Sequence, residues 1–312
     1  MPKAKVYIDG QSGTTGLQIF ERIGARSDLE LLRIDEDKHH DLDERRKFLN
    51  AVDVAFLCLP DEGAREAVSL VDNPSVCIID ASTAHRTADG WTYGFPELND
   101  RQRAAIAASK RVANPGCHAT GFISITAPLV QAGLVPANYP LTCYSLTGYS
   151  GGGKRMIADY EAQGRPTQLD APGIYGLTLQ HKHLPEMQKV CGLTSAPVFM
   201  PVVDDYYKGM ATSIMLHNEL LDKVGHAKDV HECLADHYAG QRFVSVVPFG
   251  ANAPVLYANE LAGTNELRIV VCGNEQHTTV TALFDNLGKG ASGAAVQNMN
   301  IVLGLDEATG LV

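Results

Sequence analysis

The chain has 312 residues, 45% hydrophobic and 20% charged, enough to bury a real core and, at roughly 150 residues per domain, to suggest two domains. That composition excludes a disordered chain, a coiled coil and a collagen. Twenty-six Lys and Arg against 36 Asp and Glu leave a net charge of −10, a field that argues against a general binder of nucleic acid or anionic membranes.

Val6-Tyr7-Ile8-Asp9 forms a first short strand with no apolar leader before it, so a cytoplasmic location is expected. The run Gly10-Gln11-Ser12-Gly13-Thr14-Thr15-Gly16 follows, and then Leu17, Ile19, Phe20 and Ile23 on a helix that stops at Gly24. Further strands are predicted at 29–34, 52–59, 76–80 and 111–113. Helices are predicted at 43–50 and 61–70, and from an Asn99 cap to 109. Continuous apolar strands alternating with helices imply a doubly wound parallel sheet covered on both faces, a Rossmann-like α/β domain.

Beyond Cys117 the pattern changes. Residues 112–153 contain no Asp, Glu, Lys or Arg, but Pro128, Gln131 and Gly133 break the apolar run, so a buried helix to about 131 is expected rather than a membrane span. Strand-like runs follow at 141–147, 198–203, 211–216, 243–247, 266–272 and 278–283, with sparse helical signals between them. This implies an α+β catalytic domain with a mixed sheet. Residues 285–303 regain a helix-like order, which suggests a return to the first domain. The expected division is 1–117 with 285–312 as the dinucleotide-binding domain, and 118–284 as the catalytic, substrate and oligomerisation domain.

Gly10, Gly13 and Gly16, after a strand and opening a helix, match what a nucleotide pyrophosphate needs: close backbone approach and helix N–H groups facing phosphate. A plain tight turn would show the same glycines. Asp35, near the end of the second strand, is where an acidic residue would meet an adenosine ribose and favours NAD, whereas Arg33 and Lys38 would suit a 2′-phosphate. The segment Asp80-Ala81-Ser82-Thr83-Ala84-His85-Arg86 follows the end of a strand, where open α/β sheets place ligands. There Arg86 could grip phosphate or carboxylate, or simply be solvated.

Of the seven cysteines, six read as reduced structural thiols. Cys117 differs: Asn114-Pro115-Gly116 precede it and a helix starts at it, so the macrodipole favours a reactive thiolate with a pKa lowered from about 8.5 toward 7. His181-Lys182-His183-Leu184-Pro185-Glu186 supplies two imidazoles and a carboxylate, suited to acid–base work and lacking the further ligands of a zinc site, so no metal is expected. There is no G-x-S-x-G, and Gly148-Tyr149-Ser150-Gly151-Gly152-Gly153 reads as a flexible loop rich in backbone donors.

Together these segments, with Tyr93-Gly94-Phe95-Pro96-Glu97-Leu98, Ala113-Asn114-Pro115-Gly116-Cys117-His118-Ala119-Thr120-Gly121 and Asp285-Asn286-Leu287-Gly288-Lys289-Gly290-Ala291, make the chain resemble the short-form N-acetyl-gamma-glutamyl-phosphate reductase family of arginine biosynthesis. The resemblance spans nearly the whole chain. It implies NADPH-dependent reduction of N-acetyl-L-glutamyl 5-phosphate to the 5-semialdehyde with release of phosphate, through a cysteine thioester, in a homo-oligomer with no nucleic-acid or membrane partner.

Carried over by position, the resemblance implies Cys117 as nucleophile and His183 as acid–base group. It places Arg86, Asn114, Ser150, His181 and Glu186 in the substrate pocket. Gly10, Ser12, Gly13, Thr14, Thr15, Gly16, Ser82 and Asn286 would lie at the NADP cofactor. Where the family often has Tyr this chain has His118, and Thr14 stands where an aromatic is common. The competing readings are another acyl-phosphate reductase, such as an aspartate-semialdehyde dehydrogenase or an aminoadipate-type enzyme, a cysteine acyltransferase or hydrolase, and a nucleotide-binding redox sensor.

Overall fold

The computed structural model describes residues 3–11, 13–35, 37–222 and 226–312. Ser12, expected at the cofactor, lies outside them. Two compact units are present: one comprises Met1–Pro96, Arg101–Pro115 and Ala291–Leu311, the other Glu97–Asp100, Gly116–Gly290 and Val312.

In the first unit the elements are β1 (Ala4–Asp9), α1 (Thr14–Ile23), β2 (Leu29–Leu32), α2 (Leu42–Asn50), β3 (Val54–Leu57), α3 (Asp61–Ser69), β4 (Cys77–Asp80), β5 (Thr92–Tyr93), α4 (Gln102–Ala108) and β6 (Arg111–Ala113). The strands form one sheet in the order β2-β1-β3-β4-β6-β5, every pair parallel. The apolar runs split between the two faces by strand alternation. Val6, Ile8, Val54, Phe56, Cys77 and Ile79 pack with Ile19, Ile23 and Ile106 on one side, while Tyr7, Ala55, Leu57 and Ile78 pack with Leu49, Ala64 and Ala67 on the other. Burial on both faces is why these strands are continuously apolar rather than alternating. The cap expected at Asn99 is not used: α4 begins at Gln102 with Arg101 as its N-cap residue.

The second unit holds α5 (Cys117–Gln131), β7 (Thr142–Gly148), α6 (Gly153–Glu161), β8 (Gly173–Ile174), α7 (Leu184–Cys191), β9 (Val198–Asp204), β10 (Met210–His217), α8 (Ala227–His237), β11 (Val244–Val246), β12 (Leu267–Gly273) and β13 (His277–Phe284). Its seven-stranded sheet runs β11-β12-β13-β10-β7-β9-β8. The β11/β12 and β7/β9 pairs are parallel and the others antiparallel, so the sheet is mixed. Three helices appear where helical signals looked sparse. One of them, α8, starts with an unusual reciprocal cap in which the His226 amide donates to Asp229 Oδ2 at 2.7 Å. Helix α5 is buried along almost its whole length and packs on β10, β13, α7 and α8. Among the described residues no helix is long and apolar enough to cross a membrane.

The glycine-rich run at 148–153 is a correction to the expected flexible loop. It forms a short 3₁₀ helix, Tyr149–Gly152, whose entering amides are already spent: Gly148, Tyr149 and Ser150 donate to the carbonyls of Gly209, Tyr206 and Tyr207 at 3.1, 2.9 and 3.0 Å. The chain ends with α9 (Gly293–Val302), which belongs to the first unit and adds Ala295, Val296 and Met299 to the face carrying Ile19 and Ile23.

Candidate active site

In the first unit, β1 delivers the chain into the glycine run and α1 begins at Thr14. Gly10 sits at φ +83°, and a Cβ there would lie 2.5 Å from the Cys58 carbonyl oxygen; one on Gly16 would lie 2.5 Å from the Gly10 oxygen. A side chain is thereby excluded at both positions. Gly13, the N-cap of α1, offers no side chain to cover the helix end, so the amides of the first turn remain available to an anion. Such a cradle fits a dinucleotide pyrophosphate.

At the end of β2, Asp35 is exposed and accepts from Lys38 Nζ at 3.3 Å, while the Arg33 guanidinium lies over the Phe20 ring, 4.3 Å from its centroid. At the end of β4, buried Asp80 accepts from the Ser82 amide and hydroxyl at 2.9 and 2.7 Å and lies 2.6 Å from His85 Nδ1, whose ring stacks on Trp91. The hydroxyl proton of Ser82 is therefore directed at Asp80. Arg86 is not a loose surface cation: Nε donates to the Asn114 carbonyl and Nη2 to the Ala81 carbonyl, both at 3.0 Å. Asn114 is buried, donating through Nδ2 to the Ala291 carbonyl and accepting at Oδ1 from Asn298.

In the second unit, Cys117 is the first residue of α5 and Gly116 its N-cap. The N-cap residue makes no side-chain hydrogen bond and the first turn carries no acid, so the helix's own residues leave the thiol in the field of its N-terminus. The Gly116 amide is claimed from another element, donating to Glu186 Oε1 on α7 at 2.9 Å. His183 is the N-cap residue of α7 and almost fully buried. Its amide donates to His181 Nδ1 at 3.2 Å, and the two rings meet edge to face with centroids 4.7 Å apart. The fold thus brings together Cys117, His181, His183 and Glu186 through the packing of α5 on α7.

Around them stands an aromatic cluster that sequence reading did not assemble. The His118 ring lies 5.5 Å from His181, 5.8 Å from His183 and 5.1 Å from Phe199. His118 Nε2 is 2.6 Å from the Tyr175 hydroxyl and Nδ1 is 2.8 Å from Ser145 Oγ, which is 2.7 Å from Thr212 Oγ1. Burial first, then the charges of His181 and Lys182, push the His118 pKa down to about 3. Neutral His118 donates from one ring nitrogen and accepts at the other, which gives this string a direction. Burial and the neighbouring Cys117 push the Tyr175 phenol up, so it stands near Cys117 as a protonated hydroxyl. Buried Asn286 accepts from the Gly209 amide at 2.8 Å and donates to Ser150 Oγ at 2.9 Å, fixing Ser150. Among the described residues no group of three His, Cys, Asp or Glu side chains is placed to hold a metal ion.

Residues 5–107 match the family model for the semialdehyde dehydrogenase NAD binding domain, and 117–286 that for the semialdehyde dehydrogenase dimerisation domain. The chain is 48% identical over 322 residues to N-acetyl-gamma-glutamyl-phosphate reductase 2 of Nostoc sp., covering 100% of both. It is 49% identical over 310 residues to N-acetyl-gamma-glutamyl-phosphate reductase 2 of Pseudomonas putida, covering 98% of both. Among solved structures, a probable aspartate-semialdehyde dehydrogenase from Pseudomonas aeruginosa superimposes with a TM-score of 0.72 at 16% identity, covering 97% of this chain and 99% of that one. The aspartate semialdehyde dehydrogenase with NADP from Candida albicans gives 0.67 at 13% identity, covering 96% and 98%. The structural likeness shows a shared fold, and full-length identity near one half shows the family: the chain belongs to the N-acetyl-gamma-glutamyl-phosphate reductases of the semialdehyde dehydrogenase family.

Proposed function

We propose that this chain reduces N-acetyl-L-glutamyl 5-phosphate to N-acetyl-L-glutamate 5-semialdehyde with NADPH and releases phosphate, as a step of arginine biosynthesis. The observation that carries the reading is Cys117 at an uncapped helix start whose Gly116 amide is held by Glu186, in a chain 48% identical over its full length to a reductase of that name.

The Cys117 thiolate attacks the acyl carbonyl, and amides at the start of α5 stabilise the tetrahedral oxyanion. The C–O bond to phosphate breaks, phosphate departs with the bond electrons, and a thioester remains on Cys117. NADPH held at the glycine turn would supply the hydride for this thioester carbonyl. His183 gives a proton to the oxyanion so produced and takes it back from the thiohemiacetal hydroxyl as the C–S bond breaks, which frees the aldehyde and returns the thiolate. Gly10, Ser12, Gly13, Thr14, Thr15, Gly16, Ser82 and Asn286 hold the dinucleotide, and Asn286 also fixes Ser150. Arg86, Asn114, Ser150, His181 and Glu186 bind and orient the substrate.

The enzyme works as a homo-oligomer in the cytoplasm. The dimerisation-domain match and exposed Val198, Met200 and Met215 on the second sheet support self-association. No disulfide joins any of the cysteines among the described residues, as a reducing compartment would have it.

The deciding experiment is the reverse reaction: N-acetylglutamate semialdehyde, phosphate and NADP⁺, followed at the NADPH absorbance band, for wild type and Cys117→Ala, with NAD⁺ and aspartate semialdehyde in parallel. Phosphate-dependent turnover lost in the variant is expected. Absence of signal with every pairing in folded protein would overturn the reading and favour a cysteine acyltransferase.

A further inference from the structure

Lys289 and Glu97 are both fully buried, and Lys289 Nζ donates to the two Glu97 carboxylate oxygens at 2.8 Å each. The ammonium lies 5.7 Å from the centre of the Phe243 ring, and the Glu97 carbonyl meets His237 Nε2 of α8 at 3.1 Å. Such a pair is an expensive way to stabilise a fold, since desolvation offsets most of the attraction and an apolar pair of similar volume commonly serves as well. Its yield is geometry: a fixed length and direction between two chain segments.

The segment it fixes is unusual. Gly288–Ser292 is a π-helical turn, closed by the Gly290 amide donating to the Asp285 carbonyl five residues back at 3.0 Å. Turns of this kind are rare and concentrate at functional sites. Asp285 is itself buried and tied, accepting from the Leu287 amide at 2.8 Å and the Gly263 amide at 2.6 Å. Gly290, directly after Lys289, packs on the nucleophile: a Cβ there would lie 3.2 Å from Cys117 Cβ, 3.2 Å from Phe284 Cε2 and 3.1 Å from the Asp285 oxygen. The turn is thus a wall behind Cys117, tied by Asp285 just before it and by Lys289 within it.

We propose that Lys289 and Glu97 are positioning residues for Cys117: their buried ion pair sets the π-helical turn whose Gly290 backbone fixes where the Cys117 Cβ sits. The proposal rests on Cys117 being the nucleophile. Misplacing a reacting atom by about 1 Å costs on the order of 10²-fold in rate, so a device that locks the Cβ has a catalytic purpose that bare stability would not supply.

The test uses the Glu97→Gln/Lys289→Met double variant, which removes both charges at nearly constant volume, and Gly290→Ala, which adds a methyl against Cys117 without touching the pair. The readouts are thermal melting, kcat and KM separately, and the pH profile of Cys117 alkylation by iodoacetamide, followed on its own peptide by mass spectrometry, which requires neither substrate nor cofactor. Expected are near-wild-type melting and KM, kcat lower by roughly 10- to 100-fold, and an altered alkylation profile in both variants. Wild-type kcat and alkylation in a folded double variant would overturn the proposal; if that variant does not fold, wild-type values in Gly290→Ala overturn it. Cys117→Ser separates the two failures, because turnover surviving there refutes the nucleophile reading, whereas turnover lost there and intact in the pair variants refutes only the positioning role.

Discussion

The Glu186 carboxylate accepts the Gly116 amide at 2.9 Å across 70 residues of sequence, so the residue directly before Cys117 is held by helix α7 rather than by its own helix. A buried amide that loses its acceptor costs about 1–3 kcal/mol, while a neutral acceptor retains about 0.5–1.5 kcal/mol of the bond. Glu186→Ala is therefore expected to lose roughly 10²-fold in kcat and to melt lower. Glu186→Gln, which can still accept, should lose less than about tenfold. Steady-state kinetics and melting curves of the two variants check this; equal losses in both would mean that the charge, and not the bond to Gly116, is what matters.

His183 sits at the N-cap of α7 with its ring against His181 and its amide on His181 Nδ1. If it transfers the proton that follows hydride addition, His183→Asn should lower kcat by about 10²–10⁴-fold and change the shape of the kcat–pH profile. His181→Asn should act mainly on KM. A kcat–pH curve of His183→Asn that overlays wild type would move the acid–base role to another group.

The first unit was largely legible because strands buried on both faces must be continuously apolar, as in Val54-Ala55-Phe56-Leu57. Helices α6 to α8 were not: α6 opens in a glycine run, α7 carries proline in its first turn, and α8 is capped by His226 and Asp229 rather than by Ser or Thr. In the candidate site, Cys117 and the histidine pair stand out in the sequence by their local chemistry. The partners that fix them did not, because Glu97 and Lys289 stand 192 residues apart and His118 and Tyr175 stand 57 apart, and no local pattern encodes such pairings.

Cofactor choice was ambiguous from sequence because Asp35 and the cations Arg33 and Lys38 occupy the same loop. Residues 5–107 match an NAD binding domain, and under the proposed use of NADP the loop accommodates the acid: Lys38 Nζ lies 3.3 Å from Asp35 Oδ2 and blunts its charge, while Arg33 lies over Phe20. Charge-assisted contacts to phosphate contribute about 1.5–3 kcal/mol. Arg33→Ala should accordingly raise KM for NADPH by roughly tenfold or more and leave KM for NADH unchanged. Parallel titrations with the two cofactors measure it, and an equal change for both would show that Arg33 does not meet the 2′-phosphate.

His118 makes a prediction about acid stability whose sign follows from its burial. Its pKa is pushed down to about 3 in the folded protein, against about 6.5 in an unfolded chain. Between those values the unfolded chain holds a proton that the folded one lacks, so stability falls as pH drops from about 6.5 toward 3, by up to about 1.4 kcal/mol per pH unit, and is unaffected by this group above that window. The groups facing the ring, Ser145, Tyr175, His181, His183 and Phe199, include no carboxylate that would reward protonation. His118→Gln keeps a donor and an acceptor without a titrating ring. The difference between denaturation free energies of wild type and His118→Gln, measured from pH 8 to pH 4, should be flat above about 6.5 and shift steadily against wild type below it. A difference that stays flat throughout would mean that His118 becomes protonated in the folded state, with Ser145 or the Tyr175 hydroxyl turning to accept from it.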